Sequence, residues 1–144
     1  MEDFIKMQNQ DEINYINKHF SSFFTAGNFT LKESTGAEII FESSCAELIF
    51  SYDIRFRPIF EDLFIRNIQS GKKFLLGDII EFLNPGTSFP QLVKSYTGEF
   101  GDLKMTTIQA YSNIVPKYLG TTLATCDFSW EPKLEEHLKK NTRW

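Results

Sequence analysis

The feature of this sequence that most constrains its fold is a period-two alternation of apolar and polar side chains through residues 46–55. Successive residues of a β-strand point to opposite faces of a sheet, so the alternation predicts a strand with one core face and one mixed face. The core-facing set is Leu48, Phe50, Tyr52 and Ile54, and the opposite set is Glu47, Ile49, Ser51, Asp53 and Arg55. Two extended runs at 28–32 and 38–42, separated by turn residues, predict a hairpin before this strand.

The segment before these strands has a helical period instead. Ile13, Ile16 and Phe20 recur at spacings of three and four residues, and Gly27 follows the run as a glycine commonly follows a helix. The first 26 residues are therefore predicted to form a helix.

The segment after the strands is less regular. The apolar residues of 59–66 suit both a strand and a short helix, and we favour a strand that follows the interruption at Pro58. The run Phe74-Leu75-Leu76 is predicted to re-enter the core as extended chain.

Three helices are predicted in the C-terminal half. The first has Asp78 as its N-cap with Glu81 as capping-box partner, and the second begins at Asp102 or Leu103 after a loop at 87–101. The last begins near Trp130, and Pro116 is expected to kink the helix before it.

The order of these elements defines a fold class. A helix, three or four antiparallel strands and then three helices are typical of an α+β protein, in which the C-terminal helices pack on one face of a meander sheet. A chain of 144 residues has the usual size of one domain, so residues 1–144 are predicted to form a single domain.

Charge and hydropathy limit the partners that are expected. Nineteen acidic residues against 15 basic ones give a net charge of −4, which disfavours nucleic acid. The N-terminus lacks the apolar run of a secretory signal, and no stretch approaches the ~20 apolar residues that span a bilayer. We therefore expect a protein that does not contact membranes and that is cytoplasmic, or is delivered outside the cell by a route that leaves no signal in this sequence.

The two cysteines, Cys45 and Cys126, are far apart in sequence and fit no metal-binding or redox motif. They are predicted to be small buried or half-buried hydrophobic residues of a protein in a reducing compartment.

The sequence contains no recognisable catalytic pattern. His19 and His137 have no neighbouring acidic or cysteine residue at metal-ligand spacing, and no glycine-rich phosphate-binding loop is present. We expect neither an enzyme nor a metal or cofactor site. An enzyme with dispersed carboxylates is the alternative that the pattern leaves open.

Acidic and aromatic residues suggest a protein-binding surface instead. Glu38 and Glu42 share one strand face with Ile40, and such an acidic face with apolar interruptions can recognise a basic protein. The alternative is that arginines such as Arg66 pair these acids in ordinary salt bridges. The candidate partner-binding residues are Glu38, Glu42, Glu47, Asp53, Tyr96, Phe100 and Trp130.

Three segments carry a resemblance to a known class. FTLKESTGAEIIFESSCAELIFSYDIR, FEDLFIRN and FLLGDIIEFLNPG together resemble small bacterial immunity-type proteins encoded beside polymorphic contact-dependent toxins. The resemblance covers about residues 13–86 and consists of a pattern without an invariant motif. It implies a protein that neutralises a toxin by binding it, and it assigns no functional residue.

Two other functions stay open. A small-ligand carrier or regulatory domain would need a pocket between sheet and helices, lined by Phe50, Tyr52, Phe82 and Tyr111. A meander also has edges that can pair with a second copy, so either a monomer or a homodimer is expected.

Overall fold

A computed structural model describes residues 2–35, 37–52, 60–98 and 106–141 of the chain, with side chains described over 10–35, 37–51, 62–98 and 106–140. The elements are α1 (Glu2–Gly27), β1 (Thr30–Ser34), β2 (Glu38–Glu42), β3 (Ala46–Tyr52), β4 (Phe60–Asn67), β5 (Lys73–Leu75), α2 (Leu76–Leu83), α3 (Phe89–Thr97), α4 (Thr107–Ala124) and α5 (Glu131–Asn141).

The strands form a five-stranded antiparallel meander in the order β1-β2-β3-β4-β5. The predicted α+β class is confirmed, as is the strand preferred for 59–66, which is β4. The sheet has five strands where three or four were predicted. The fifth, β5, overlaps the run Phe74-Leu75-Leu76 that was predicted to be extended chain, although Leu76 already belongs to α2.

The helices pack on one face of this sheet, which we call the inner face. Alternation along β3 places Leu48 and Phe50 on the inner face, and both are fully buried. Phe20 of α1 packs edge-on against Phe50, with ring centroids 5.4 Å apart. Apolar residues from α1, α2, α4 and α5 complete one continuous hydrophobic core with this face.

Helix α1 ends where the sequence predicts. Asn28 has a left-handed backbone with φ of 57°, and the Phe29 amide donates to the Phe24 carbonyl oxygen at 2.9 Å. A side chain at Gly27 would meet the Phe29 ring, with a Cβ only 2.9 Å from it. This tight turn reverses the chain from α1 into β1.

Helix α2 begins three residues earlier than predicted, since its N-cap is residue 75 and the expected N-cap was residue 78. Its N-cap is Leu75, which makes no side-chain cap hydrogen bond, and Asp78 lies within the first turn. The expected capping box between Asp78 and Glu81 is therefore wrong. The Glu81 carboxylate instead accepts a hydrogen bond from the Phe89 amide at 2.7 Å, which joins α2 to the start of α3.

Helix α3 occupies most of the segment 87–101, which was predicted to be a loop. Pro90 lies in the first turn, where its missing N–H costs no intrahelical hydrogen bond, and Ser88 caps the helix by accepting from the Gln91 amide. The prediction was wrong because proline and glycine were interpreted as loop residues, although each stands at a helix terminus.

Helices α4 and α5 follow in the predicted order. Thr106 and Gln109 form a capping box at the start of α4, and the predicted start at Asp102 or Leu103 lies outside the described residues. Pro116 lies inside α4, and the kink expected at this residue stays a prediction. Four helices are described after the sheet, one more than predicted, since α3 was missed.

The two cysteines form a disulfide, which corrects the prediction of two separate, buried or half-buried thiols. Cys45 and Cys126 are 81 residues apart in sequence, but their Cα atoms lie 5.9 Å apart. Cys45 is in the β2–β3 turn, and Cys126 follows α4 in an exposed position. The meander and the return of α4 bring these two turns together, a proximity that local sequence does not encode. The reducing compartment inferred from free thiols loses that support.

No helix in the described part of the chain is both long enough and apolar enough to cross a membrane.

Candidate protein-binding face

The face of the sheet opposite the helices, which we call the outer face, carries the candidate acidic residues. The strand register arranges its side chains in three rows across the strands. The row nearest the β1–β2 turn is Glu38, Ser51 and Asp62; the middle row is Glu33, Ile40, Ile49, Phe64 and Leu75; the row nearest the β2–β3 turn is Thr30, Glu42, Glu47, Arg66 and Lys73.

Glu47 is the buried carboxylate of this face, with 2% of its surface exposed. It accepts hydrogen bonds from Lys32, whose strand has a register shift at this point, and from Arg66 Nη1 at 3.0 Å. Burial alone would raise the pKa of Glu47, but the hydrogen bonds from Lys32 and Arg66 outweigh it and hold the pKa below its ordinary value. Lys32 also lies 3.9 Å from Glu42.

Glu47 was predicted to contact a partner, and its burial removes it from the accessible surface. The alternative that Arg66 would pair these acids is realised for Glu47. Lys32 was the residue that sequence reasoning missed. In sequence, Lys32 lies next to a different carboxylate, Glu33. Only the pairing of β1 with β2 and of β2 with β3 brings Lys32 close to Glu47. We call Lys32, Glu42, Glu47 and Arg66 the paired cluster.

The opposite end of the outer face is acidic. Glu33 is exposed, Glu38 and Asp62 are half-buried, and none of the three forms an ion pair within the described part of the chain. The Glu38 amide donates a hydrogen bond to Thr35 Oγ1 at 3.1 Å. Burial and the charge of Asp62 together raise the pKa of Tyr111 to about 12. We call Glu33, Glu38 and Asp62 the acidic end.

Between the row of Glu38 and Asp62 and the paired cluster lies the middle row, which is apolar except for Glu33 at its β1 end. Ile40 and Ile49 are 8% and 4% exposed, yet they lie outside the main core because they point to the outer face. Phe64 and Leu75 continue the row toward β5 and are half-buried. Lys73 Nζ lies 4.7 Å from the centre of the Phe64 ring. The outer face thus combines carboxylates with partly accessible apolar surface.

The aromatic residues predicted to contact a partner lie elsewhere. Trp130 is buried, its indole N–H donates to the Asp127 carbonyl oxygen at 2.9 Å, and its ring packs against Phe74. Trp130 is therefore a core residue, which corrects its assignment to a binding surface. Tyr96 lies on α3, half-buried against the core, and not on the loop expected there. Asp53 and Phe100 lie outside the described residues.

A second polar centre attaches α5 to the β4–β5 turn. Glu131 is 5% exposed and accepts hydrogen bonds from Asn67 Nδ2 at 2.7 Å and from the Ser70 hydroxyl at 2.5 Å. Lys72 in the same turn pairs with Glu135 at 2.6 Å. The hydrogen bonds from Asn67 and Ser70 satisfy the buried Glu131 carboxylate. We therefore interpret Glu131 as a structural residue that anchors α5 to the β4–β5 turn.

An open groove of about 380 Å³ lies beside this anchor, lined by Phe74, Glu135, Leu138 and Lys139. It is a surface feature between β5 and α5, and not the interior pocket between sheet and helices that a ligand carrier would need. Phe50 and Tyr111, which were expected to line such a pocket, are 0% and 6% exposed and belong to the continuous core.

The histidines lie on separate helices. His19 packs edge-on against Tyr15 at 4.6 Å, and burial together with the nearby Lys18 lowers its pKa. The His137 ring lies 5.4 Å from that of Phe82. Among the described residues, no group of three or more histidine, cysteine, aspartate or glutamate side chains is placed to hold a metal ion.

No protein-family model, curated protein or solved structure matches this chain. The class of the protein is defined by its own structure. It is an α+β protein with helices on one side of a five-stranded meander and a charged, partly apolar face on the other.

Proposed function

We propose that this protein is a non-enzymatic binding domain that recognises a basic protein through the acidic end of its outer face. The observation that carries the proposal is the contrast within that face. Glu47 is neutralised by two cations, whereas Glu33, Glu38 and Asp62 have no ion pair in the described part of the chain. Carboxylates that have no ion pair among the described residues are the ones best placed to bind an external cation.

Electrostatics supports a basic partner. The chain has a net charge of −4, and the three carboxylates of the acidic end add a local concentration of negative charge. Complementary charge at the rim of an interface speeds association and selects against partners of the same charge. The half-buried Phe64 supplies apolar contact area of the kind found in interface cores.

The resemblance to immunity-type proteins supports a more specific form of the proposal, in which the partner is a basic toxin that the domain neutralises by binding. An inhibitor of this kind needs no catalytic group, because it acts by covering the surface that its target uses. A small-ligand carrier has weaker support, since Phe50 and Tyr111 are packed in the core.

The test is capture from a lysate of the source cell with two charge-matched variants. Glu38→Gln/Asp62→Asn removes two carboxylates from the acidic end, and Asp11→Asn/Glu136→Gln removes two exposed carboxylates elsewhere. We expect the wild type and the control to retain a stoichiometric basic protein at low salt, and the first variant to bind it at least ~10-fold more slowly.

The captured protein is identified by mass spectrometry, and association rates are then measured with the purified pair at low and high salt. Added salt should slow the wild type toward the rate of the acidic-end variant. Equal binding by both variants, or capture of no basic protein at either salt concentration, would contradict the proposal.

A further inference from the structure

The disulfide lies at the end of the sheet where three turns meet. Cys45 belongs to the β2–β3 turn, and its carbonyl oxygen accepts a hydrogen bond from the Ile68 amide of the β4–β5 turn at 3.1 Å. Cys126 belongs to the connection between α4 and α5. The disulfide thus joins the β2–β3 turn to the α4–α5 connection, and the backbone hydrogen bond joins the β4–β5 turn to the same place.

The two sulfur atoms differ in their surroundings. Cys126 is exposed and has a left-handed backbone with φ of 56°, whereas Cys45 is half-buried and packs against the core. The Cys45 sulfur lies 3.7 Å from the Leu123 carbonyl oxygen. A thiol at Cys45 would have a hydrogen-bond acceptor in place, and a thiol at Cys126 would face solvent.

Other contacts hold the same corner without the disulfide. Leu134 is fully buried and Trp130 nearly so, and Glu131 is bound by Asn67 and Ser70. These contacts attach α5 to the sheet directly beyond Cys126. Breaking one sulfur–sulfur bond therefore removes a covalent link while leaving this packing in place.

We propose that Cys45–Cys126 is a reversible thiol–disulfide exchange site that reacts with thiols in solution while the protein stays folded. An incoming thiolate attacks the exposed Cys126 sulfur, forming a mixed disulfide, and the bond to Cys45 breaks. The electron pair leaves on the Cys45 sulfur, which takes a proton from water and donates it in a hydrogen bond to the Leu123 carbonyl. A second thiol of the reductant then attacks the reductant sulfur of the mixed disulfide, releasing Cys126 as a thiolate and the oxidised reductant.

The first experiment treats the oxidised protein with dithiothreitol at neutral pH without denaturant. Samples are quenched with acid, alkylated and counted for free thiols by mass spectrometry, while circular dichroism follows the fold. We expect complete reduction with an unchanged far-ultraviolet spectrum, at a rate proportional to dithiothreitol concentration. The melting temperature should fall by roughly 10–15 °C, because reduction reopens a long covalent loop.

Two results would overturn the proposal. A rate independent of dithiothreitol concentration would show that the bond is reached only after unfolding. Loss of the helical spectrum on reduction would show that the disulfide is required for the fold. Oxidised glutathione added to the reduced protein should restore the bond, and failure to do so would also count against a reversible site.

The second experiment tests which sulfur is attacked. Cys45→Ser leaves the thiol of Cys126, and Cys126→Ser leaves the thiol of Cys45. With oxidised glutathione we expect the Cys45→Ser protein to form the mixed disulfide at least ~10-fold faster, because its sulfur is exposed. Equal rates, or a faster reaction of the Cys126→Ser protein, would overturn the assignment. Melting curves of both variants, compared with the reduced wild type, show whether each is folded.

Discussion

Replacing Phe50 by alanine is expected to lower the free energy of unfolding by about 4 kcal/mol, whereas replacing Phe64 by alanine should lower it by only about 1 kcal/mol. Phe50 is fully buried on the inner face, between Phe20 at 5.4 Å and Phe41 at 6.1 Å. Phe64 is half-buried on the outer face. The same substitution therefore creates a core cavity in one case and trims a partly solvated surface in the other.

Denaturant unfolding of both variants, analysed with a common slope, measures the difference. Comparison of the Phe50→Ala and Phe64→Ala variants also tests which face of the sheet the helices cover. Equal losses of stability at the two positions would mean that both faces are packed to the same degree, which would contradict the one-sided arrangement.

Replacing Arg66 by methionine is expected to cost about 3 kcal/mol at neutral pH, because it leaves the buried Glu47 carboxylate with Lys32 as its remaining cation. Arg66 is itself part-exposed, so the loss should fall at the low end of the range for a broken buried pair. The control is Lys140→Met. It removes an exposed pair with Glu136 on α5 and should change stability by less than ~0.5 kcal/mol.

The cost of Arg66→Met should depend on pH in a defined direction. In the wild type the pKa of Glu47 is held below its unfolded value of 4.5, so the paired cluster stabilises the fold above that pH and loses this contribution as pH falls through the lowered pKa. In the variant, the Glu47 carboxylate keeps its burial but loses the hydrogen bond from Arg66, so its charged form is less stable in the folded protein. Protonation of Glu47 removes this cost of burying a charge. Unfolding curves of the two proteins should therefore converge in acid and separate at neutral pH. A difference that does not change with pH would show that Glu47 is not its source.

Periodicity predicted the elements whose burial alternates cleanly. The spacing of Ile13, Ile16 and Phe20 indicated α1, and the alternation around Leu48 and Phe50 placed β3 with the correct face inward. In these segments the spacing of apolar residues along the sequence matches the spacing of buried positions in the structure.

The remaining features depend on which segments meet in space. Cys45 and Cys126 pair because the sheet and α4 bring together residues that are 81 positions apart, and no local pattern encodes that distance. Glu47 was placed on the correct face, but its burial depends on Lys32 and Arg66 from two other strands. The candidate site was therefore predicted as a face of the sheet, while the division of its acids into paired and unpaired sets required the strand register.

The strand order bears on how the chain folds during its synthesis. Every described strand pair joins strands that are adjacent in sequence, so each step of the sheet closes only a short loop. Helix α1 depends on much later residues, since the Tyr15 hydroxyl meets Thr106 Oγ1 at 2.6 Å across 91 positions. A growing chain can thus pair its strands early. Helix α1, which is synthesised before the strands, obtains part of its packing only after α4 has been made.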